Sequence, residues 1–183
     1  MLGAVCDRVV VALPPGYELD RDARYERVAG GPSRSESVRN ALATAPEAEI
    51  AIVHDAARPL ITSELVERCV AAIHAPGVDG AVAATPVTDT VKQADDAGRV
   101  LQTLDRSRLW AVQTPQAFWA AALRRALDAD PATLAAAGDD AGLVEQAGGT
   151  VAIVEAPASN VKVTTPLDLR LVEALIAERL ARR

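Results

Sequence analysis

The segment from Ile52 to Pro59 ends an apolar run in a histidine, an acid, two alanines and an arginine. Residues 49–53 predict a short buried strand, and Pro59 ends regular structure. Asp55 and Arg58 are therefore expected just beyond the carboxyl end of a strand, where ligands bind in open α/β sheets. An arginine for anions beside an acid for a metal or hydroxyl group suits a nucleotide-like substrate. A surface Asp–Arg ion pair is the alternative.

Two glycines precede a predicted helix start. Ser33 and Glu36 have the spacing of a capping box, which predicts a helix from Ser33 to about residue 45. Gly30 and Gly31 would let a ligand approach the backbone, and a helix N-terminus favours anions. Ser37 lies one turn further on. The segment alone fits an ordinary turn equally well.

Arginine is the main cation of this chain. Of its 19 lysines and arginines, only Lys92 and Lys162 are lysine. A lysine kept against that bias indicates a position that needs a compact, mobile ammonium group, and chance is the alternative. Both occur in short polar motifs, Asp89-Thr90-Val91-Lys92 and Asn160-Val161-Lys162-Val163-Thr164.

Composition limits the class of protein. A chain of 183 residues fits one domain, 1–183, and its net charge of −6 argues against nucleic acid as a partner. Cys6 and Cys69 lack metal-ligand spacing and predict reduced thiols, hence a cytoplasmic location. The sequence has no apolar run long enough for a membrane span and no signal-peptide pattern at its start.

Apolar runs alternate with helical segments along the chain, which predicts an α/β fold with a mostly parallel sheet. The expected strands are 8–13, 49–53, 80–84 and 150–154. The expected helices after the first are 62–75, 119–129, 139–147 and an amphipathic closing helix, 166–182. A hairpin of residues 90–94 and 99–104 around Asp95-Asp96-Ala97-Gly98 interrupts the alternation. It predicts an arm, 88–106, that stands off the sheet.

The motifs follow one another in a distinctive order. They are Gly-Gly-x-x-Arg-x-x-Ser-Val from Gly30, His-Asp-Ala-Ala-Arg-Pro from His54, Asp-Thr-Val-Lys from Asp89, Asp-Arg-x-x-Leu-Trp-x-x-Gln-Thr-Pro-Gln-x-Phe from Asp105, Asp-Asp-Ala from Asp139 and Asn-Val-Lys-Val-Thr from Asn160. This joint pattern closely resembles the 2-C-methyl-D-erythritol 4-phosphate cytidylyltransferase family, from about Val5 to the last helix.

The resemblance implies a Rossmann-like nucleotidyltransferase fold, a homodimer formed through the 88–106 arm, and Mg²⁺ as cofactor. It implies cytidylyl transfer from CTP to 2-C-methyl-D-erythritol 4-phosphate, with release of pyrophosphate, in the non-mevalonate route to isoprenoids. One alternative is a sister cytidylyltransferase acting on a pentitol phosphate such as ribitol 5-phosphate. The other is a catalytically dead dimeric binding module.

The resemblance also assigns roles to residues. Gly31 and Ser37 would contact the cytosine, while Asp55 and Ala56 would lie by the ribose and the metal-bound phosphates, with Asp55 as metal ligand. The expected catalytic residues are Lys162 and Arg106. Sugar-phosphate binding is expected from Arg58, Asp89, Thr90 and Thr164, with Thr90 and Arg106 reaching in from the neighbouring subunit.

The family pattern opens with a strand, a Gly-rich loop that cradles the CTP phosphates, and a helix. The present sequence starts just before the strand at 8–13, so this unit is expected to be absent. Its arginine and lysine would stabilise the transition state, and phosphoryl transfer depends on such groups. We therefore expect weak CTP binding and slow turnover from the sequence as it stands. Gly138 is a smaller departure, at a position where the family usually has threonine.

Overall fold

The computed structural model describes residues 2–17 and 25–181, in which strands and helices alternate. The strands are β1 (Val10–Leu13), β2 (Glu26–Ala29), β3 (Ile50–Val53), β4 (Gly80–Pro86), β5 (Lys92–Ala94), β6 (Val100–Thr103), β7 (Trp110–Trp119) and β8 (Val151–Glu155). The α-helices are α1 (Arg34–Ala43), α2 (Ser63–Ile73), α3 (Ala120–Leu127), α4 (Pro131–Ala136), α5 (Asp140–Gln146) and α6 (Pro166–Ala181).

The main sheet has the strand order β3-β7-β4-β8. β8 is parallel to β4, whereas β7 is antiparallel to both of its neighbours. The α/β fold is confirmed: β3, β4 and β8 run in the same direction, and β7 alone of these four strands runs against them, which makes the sheet mixed. β4 ends at Pro86 and β7 begins at Trp110, and these two residues pair. β7 therefore runs antiparallel beside β4. β1 and β2 form a parallel pair, and β5 and β6 an antiparallel one.

β7 was not predicted, although it lies at the centre of the sheet. Its sequence contains Pro115, which argues against a central strand because proline cannot donate to the ladder. The pairs Val82–Gln116 and Ala84–Val112 enclose a β-bulge that contains Pro115, and a bulge tolerates a proline. The Thr114–Pro115 peptide bond is cis. The helix expected at 119–129 begins one residue later because Trp119 is the last residue of β7.

The predicted capping box at the start of α1 is confirmed. The Ser33 hydroxyl accepts from the Glu36 backbone N–H at 3.2 Å, and the Glu36 carboxylate accepts from the Ser33 N–H at 3.1 Å. Thr62 caps α2 by accepting from the backbone N–H of Leu65. Besides β7, a strand and a helix were missed. β2 is polar and mostly exposed, so it lacks a strand pattern, whereas α4 carries a usable signal, an Asp130 cap followed by Pro131.

The sheet is covered on both faces. Val82 and Phe118 point to the face covered by α3, α4 and α5, where the buried residues include Leu123, Leu127, Leu134 and Leu143. Ala81, Ala83 and Ala117 point to the opposite face, against α2 residues Leu65, Cys69 and Ile73. This alternation is the ordinary period of a strand. At Gly80 a Cβ would lie 2.4 Å from the Phe118 ring, so only glycine fits there.

The arm forms the predicted hairpin. The Asp95 carboxylate accepts from the backbone N–H groups of Ala97 and Arg99, and Gly98 adopts a φ of 76° at the turn. Two apolar side chains of β6, Val100 and Leu101, are 59% and 62% exposed. The arm therefore carries an apolar patch on a largely polar hairpin.

The amphipathic closing helix needs correction. In α6 only Val172 is buried, while Leu167, Leu169, Leu171, Ile176 and Leu180 stay exposed. Leu167, Leu169 and Leu171 alternate at two-residue spacing, which points them to different sides of a helix. Within the described residues, no helix combines the length and the apolar character that crossing a membrane requires.

Candidate active site

Three segments distant in sequence meet at one end of the main sheet. The loop after β3 joins the β7 bulge through the Asp55 N–H, which donates to the Thr114 hydroxyl at 3.0 Å. The same loop joins the segment between β8 and α6 in two places. Arg58 Nη1 donates to the Asn160 carbonyl at 2.7 Å, and the Val163 N–H donates to the Ala57 carbonyl at 2.8 Å. Asp55 and Arg58 thus lie beyond the carboxyl end of a strand, where the sequence predicted them.

Asp55 lies among three cationic side chains. Lys162 Nζ is 2.9 Å from Asp55 Oδ2, Arg34 Nε is 3.6 Å from Oδ1, and Arg58 Nε is 3.9 Å from Oδ2. Burial by itself raises the pKa of Asp55, but the hydrogen bond and charge of Lys162, with the charges of both arginines, outweigh it and lower that pKa. Asp55 is therefore an ionised carboxylate that holds three cations together.

A second carboxylate, that of Asp140, is fully buried and holds Arg34 in place. Asp140 Oδ2 accepts from Arg34 Nη1 at 2.6 Å. Burial raises the pKa of Asp140, while the Arg34 charge and hydrogen bond act in the opposite direction. Burial also lowers the pKa of Arg58, against the charge of Asp55. Two of the three cations thus depend on buried contacts for their positions.

These residues surround a cavity of about 350 Å³. Its charged lining consists of Arg34, Asp55, Arg58, Asp139 and Lys162. In the described part of the chain, four buried side-chain atoms have no hydrogen-bond partner, and all four belong to residues in or beside this cavity: Arg58 Nε, Gln116 Oε1, Asp140 Oδ1 and Asn160 Oδ1. Buried polar atoms are nearly always paired, so such a cluster marks a functional site. Arginine and lysine side chains that are gathered around one carboxylate, as around Asp55, are suited to binding phosphate groups.

His54 and Thr114 connect the loop after β3 to the β7 bulge. His54 Nε2 is 3.1 Å from the Arg58 carbonyl, which can only accept, so Nε2 carries the hydrogen. His54 Nδ1 then accepts from the Thr114 hydroxyl at 3.1 Å. Burial lowers the pKa of His54 and favours this neutral form. Neither residue was predicted as a site residue, although both stand inside the motifs that carried the resemblance.

Gly31 and Ser37 lie at a second cavity, of about 240 Å³. The Gly31 N–H donates to the Ser37 hydroxyl at 3.0 Å, and that hydroxyl donates to the Ser33 carbonyl at 2.9 Å. A Cβ on Gly31 would lie 2.4 Å from that of Glu36, so the backbone position requires glycine. The remaining wall comes from Gly30, which was expected to let a ligand approach, and from four residues that were not predicted: Ala12, Leu13, Pro14 and Pro15. Ala56 is exposed in the turn after Asp55.

The predicted arm residues lie apart from the Asp55 cavity. Asp89, Thr90 and Arg106 are exposed, and Arg106 Nη1 donates to the Thr88 carbonyl. In the described ranges, none of the three lines that cavity. Thr164 precedes α6, and its backbone N–H and its hydroxyl both donate to the Asp168 carboxylate, at 3.0 and 2.8 Å. The roles predicted for these four residues in substrate binding and catalysis stay predictions.

Asp55 is the metal ligand predicted from sequence. Over residues 2–17 and 25–181, no group of three or more histidine, cysteine, aspartate or glutamate side chains could hold a metal ion. Mg²⁺ is commonly held by one or two carboxylates together with substrate phosphates and water. Asp55, at the edge of the cavity, fits the role of a single protein carboxylate for such a shared ion. It does not fit an ion held by protein groups alone.

Known proteins resemble this chain over most of its length. A family model described as IspD, 2-C-methyl-D-erythritol 4-phosphate cytidylyltransferase, matches residues 1–178. The 2-C-methyl-D-erythritol 4-phosphate cytidylyltransferase of Rubrobacter xylanophilus is 49% identical over 151 residues, which cover 81% of this chain and 64% of that protein. The bifunctional enzyme IspD/IspF of Anaeromyxobacter dehalogenans is 44% identical over 94% of this chain and 47% of its own length. The chain thus spans less than two thirds of either relative.

A solved structure with the same family description has a fold similar to that of this chain. The crystal structure of 2-C-methyl-D-erythritol 4-phosphate cytidylyltransferase from Thermus thermophilus superposes with a TM-score of 0.85 at 36% sequence identity. The match covers 96% of this chain and 85% of that one. The mixed sheet and its helices are therefore those of a nucleotidyltransferase-like fold.

Proposed function

The chain belongs to the 2-C-methyl-D-erythritol 4-phosphate cytidylyltransferase (IspD) family, and on that basis we propose that it transfers the cytidylyl group of CTP to 2-C-methyl-D-erythritol 4-phosphate. A phosphate oxygen of the acceptor attacks the α-phosphorus of CTP. The bond to the β,γ-diphosphate breaks, so pyrophosphate leaves and CDP-methylerythritol forms. The observation that carries this proposal is the group of Arg34, Arg58 and Lys162 around Asp55 beside the larger cavity.

The site residues act by binding and positioning charge. Phosphoryl transfer needs little covalent chemistry from the protein, because positioning and electrostatic stabilisation supply most of the catalysis. Arg58, fixed by the Asn160 carbonyl, binds the acceptor phosphate. Lys162 is nearly half exposed, so its ammonium can turn from Asp55 towards the reacting phosphates when they arrive. The two cations thereby bring two like-charged phosphates together.

The same proposal includes Mg²⁺, which Asp55 would hold and which would neutralise negative charge on the CTP phosphates. Asp55 supplies the one protein carboxylate, and its lowered pKa keeps that group ionised for metal binding at neutral pH. Gly31 and Ser37 would hold the cytosine in the smaller cavity. A wall of small residues, prolines and glycine backbone suits a flat ring.

We also propose that the protein is a homodimer in which each arm completes the partner's site. Thr90 and Arg106 are exposed on the arm and lie apart from the Asp55 cavity of their own chain. Val100 and Leu101 supply an exposed apolar patch that association would bury. A cytoplasmic location remains a prediction from the cysteine content.

Pyrophosphate release tests the reaction. With CTP and Mg²⁺, we expect faster turnover with 2-C-methyl-D-erythritol 4-phosphate than with ribitol 5-phosphate, whatever the absolute rate. Lys162→Ala should lower kcat by about 10²–10³, the scale seen when one group that stabilises the transition state is removed. Arg125→Ala is the control, because it removes an exposed cation that pairs with Asp79 and does not line the cavity. A clear preference for ribitol 5-phosphate would overturn the substrate assignment, and equal effects of the two variants would overturn the role of Lys162.

A further inference from the structure

We propose that Asn160 is a positioning residue for this reaction, because its buried side chain fixes the segment that presents Lys162 to Asp55. The inference rests on the proposed function, since it gives Asn160 a role through Lys162. Asn160 itself faces the backbone of β7 and contacts neither Asp55 nor Lys162 through its amide.

The Asn160 side chain is 1% exposed and uses both hydrogens of its amide group. Nδ2 donates to Gln113 Oε1 at 2.8 Å and to the Thr114 carbonyl at 2.9 Å. Both acceptors belong to the β7 bulge, next to the Thr114 hydroxyl that accepts from the Asp55 N–H. One amide therefore joins the Lys162 segment to the strand that also holds Asp55.

The main chain of the same segment adds two further links. The Asn160 carbonyl accepts from Arg58 Nη1, and the Val163 N–H donates to the Ala57 carbonyl. Lys162 lies between these two links. Its side chain is 45% exposed, so its direction depends on the backbone that carries it. Fixing the backbone on both sides keeps Lys162 within reach of Asp55, where Nζ lies 2.9 Å from Oδ2.

The contacts explain why asparagine occupies this position. Both partners of Nδ2 are acceptors, so the site requires two donors from one short side chain. An aspartate would place a carboxylate against two acceptors, and an alanine would leave both acceptors without a partner. Asn160 Oδ1 has no partner, which shows that the amide is used here only as a donor. The Thr114 carbonyl is buried, so leaving it unpaired costs free energy, and the segment would shift to find other partners.

Asn160→Ala tests the inference, with Asn40→Ala as the matched control. Asn40 also donates its amide to a backbone carbonyl, that of Ala29 at 3.1 Å, but it lies in α1. We expect Asn160→Ala to lower kcat by about 10²-fold, the scale of a 1 Å misplacement of a catalytic group, with a much smaller change in the KM for CTP. Asn160→Ser keeps one donor and should fall between the wild type and Asn160→Ala. Asn40→Ala should leave both constants within about twofold, well below that effect.

A second measurement does not depend on turnover. A crystal structure of Asn160→Ala should show the segment of residue 162 displaced, with Lys162 Nζ beyond salt-bridge distance of Asp55 Oδ2, from which it is 2.9 Å away in the wild type. A folded Asn160→Ala with unchanged kcat and an unchanged Lys162–Asp55 contact would overturn the inference. If Asn160→Ala does not fold, the same two measurements on Asn160→Ser decide. If the wild type shows no turnover, the proposed function fails, and the Lys162–Asp55 distance still decides whether Asn160 positions Lys162.

Discussion

At the scale of single residues, Asp55 determines how the site is charged. It is the carboxylate within salt-bridge distance of Lys162, Arg34 and Arg58 together, whereas Asp140 pairs with Arg34 alone. Removing the Asp55 charge would leave Lys162 and Arg58 without a carboxylate and close to each other. The local balance of charge thus depends on one side chain that is itself partly buried.

Asp55→Asn should destabilise the protein at neutral pH and lower activity by about 10²-fold or more, as expected for loss of an ionised group that organises the site. The folded-state pKa of Asp55 lies below its ordinary 3.8, so its carboxylate stabilises the fold above that pH. This contribution is lost as the pH falls through the folded-state value. Urea unfolding of wild type and variant should therefore show a constant difference from neutral pH down to about pH 5, and a shrinking one below about pH 4. A difference that grows towards low pH would contradict this assignment.

The residues found from sequence are those whose own neighbours identify them. Asp55 and Arg58 follow an apolar strand, and Lys162 stands out in a chain that otherwise uses arginine. Thr114 and Asn160 could not be found in this way, because their roles arise from contacts across the chain. The Thr114 hydroxyl meets Asp55 across 59 positions, and the Asn160 carbonyl meets Arg58 across 102. No local pattern specifies such pairs.

At the scale of elements, β7 and the turn before α1 carry the two cavities. β7 was not predicted from sequence because it contains Pro115. The bulge that accommodates this proline depends on pairing with β4, which is a tertiary contact. The start of α1 was predictable because a capping box is local, with donor and acceptor only three residues apart. The start of α1, defined by its own sequence, was thus found, and β7, defined by its pairing with a neighbouring strand, was not.

Gly31→Ala should disturb the start of α1 and the smaller cavity together. The new Cβ would lie 2.4 Å from the Glu36 Cβ and 2.9 Å from the Glu36 carbonyl carbon, so the capping box must shift. We expect a loss of about 1–3 kcal/mol in the free energy of unfolding, the usual cost of overpacking, and weaker CTP binding by calorimetry. Gly3→Ala is the control, since nothing lies within 4 Å of its added Cβ. A Gly31→Ala protein with unchanged stability and CTP affinity would contradict this interpretation.

At the scale of the whole molecule, the proposed dimer places Arg106 and Lys162 of different chains in one site. Arg106→Ala and Lys162→Ala proteins should each be nearly inactive. Mixing them under conditions of subunit exchange should restore roughly a quarter of wild-type activity, because about half of randomly paired dimers are mixed and each has one intact site. Exchange is verified separately by mass spectrometry of differently labelled chains. If exchange occurs and activity does not return, Arg106 serves its own chain and the arm has another role.

The strand that carries the bulge also begins and ends with the two tryptophans of the chain, Trp110 and Trp119. Trp119 is fixed at the core end, where its indole N–H donates to the Ile73 carbonyl and its ring lies edge-on to His74 at 5.1 Å. Trp110 lies where the chain returns from the arm. Trp119 is therefore a fluorophore in fixed surroundings at one end of β7. Trp110, at the other end, is a fluorophore whose emission depends on the surroundings of the arm. With Trp119 replaced by phenylalanine, the remaining emission would follow the docking of a second subunit optically, without an attached dye.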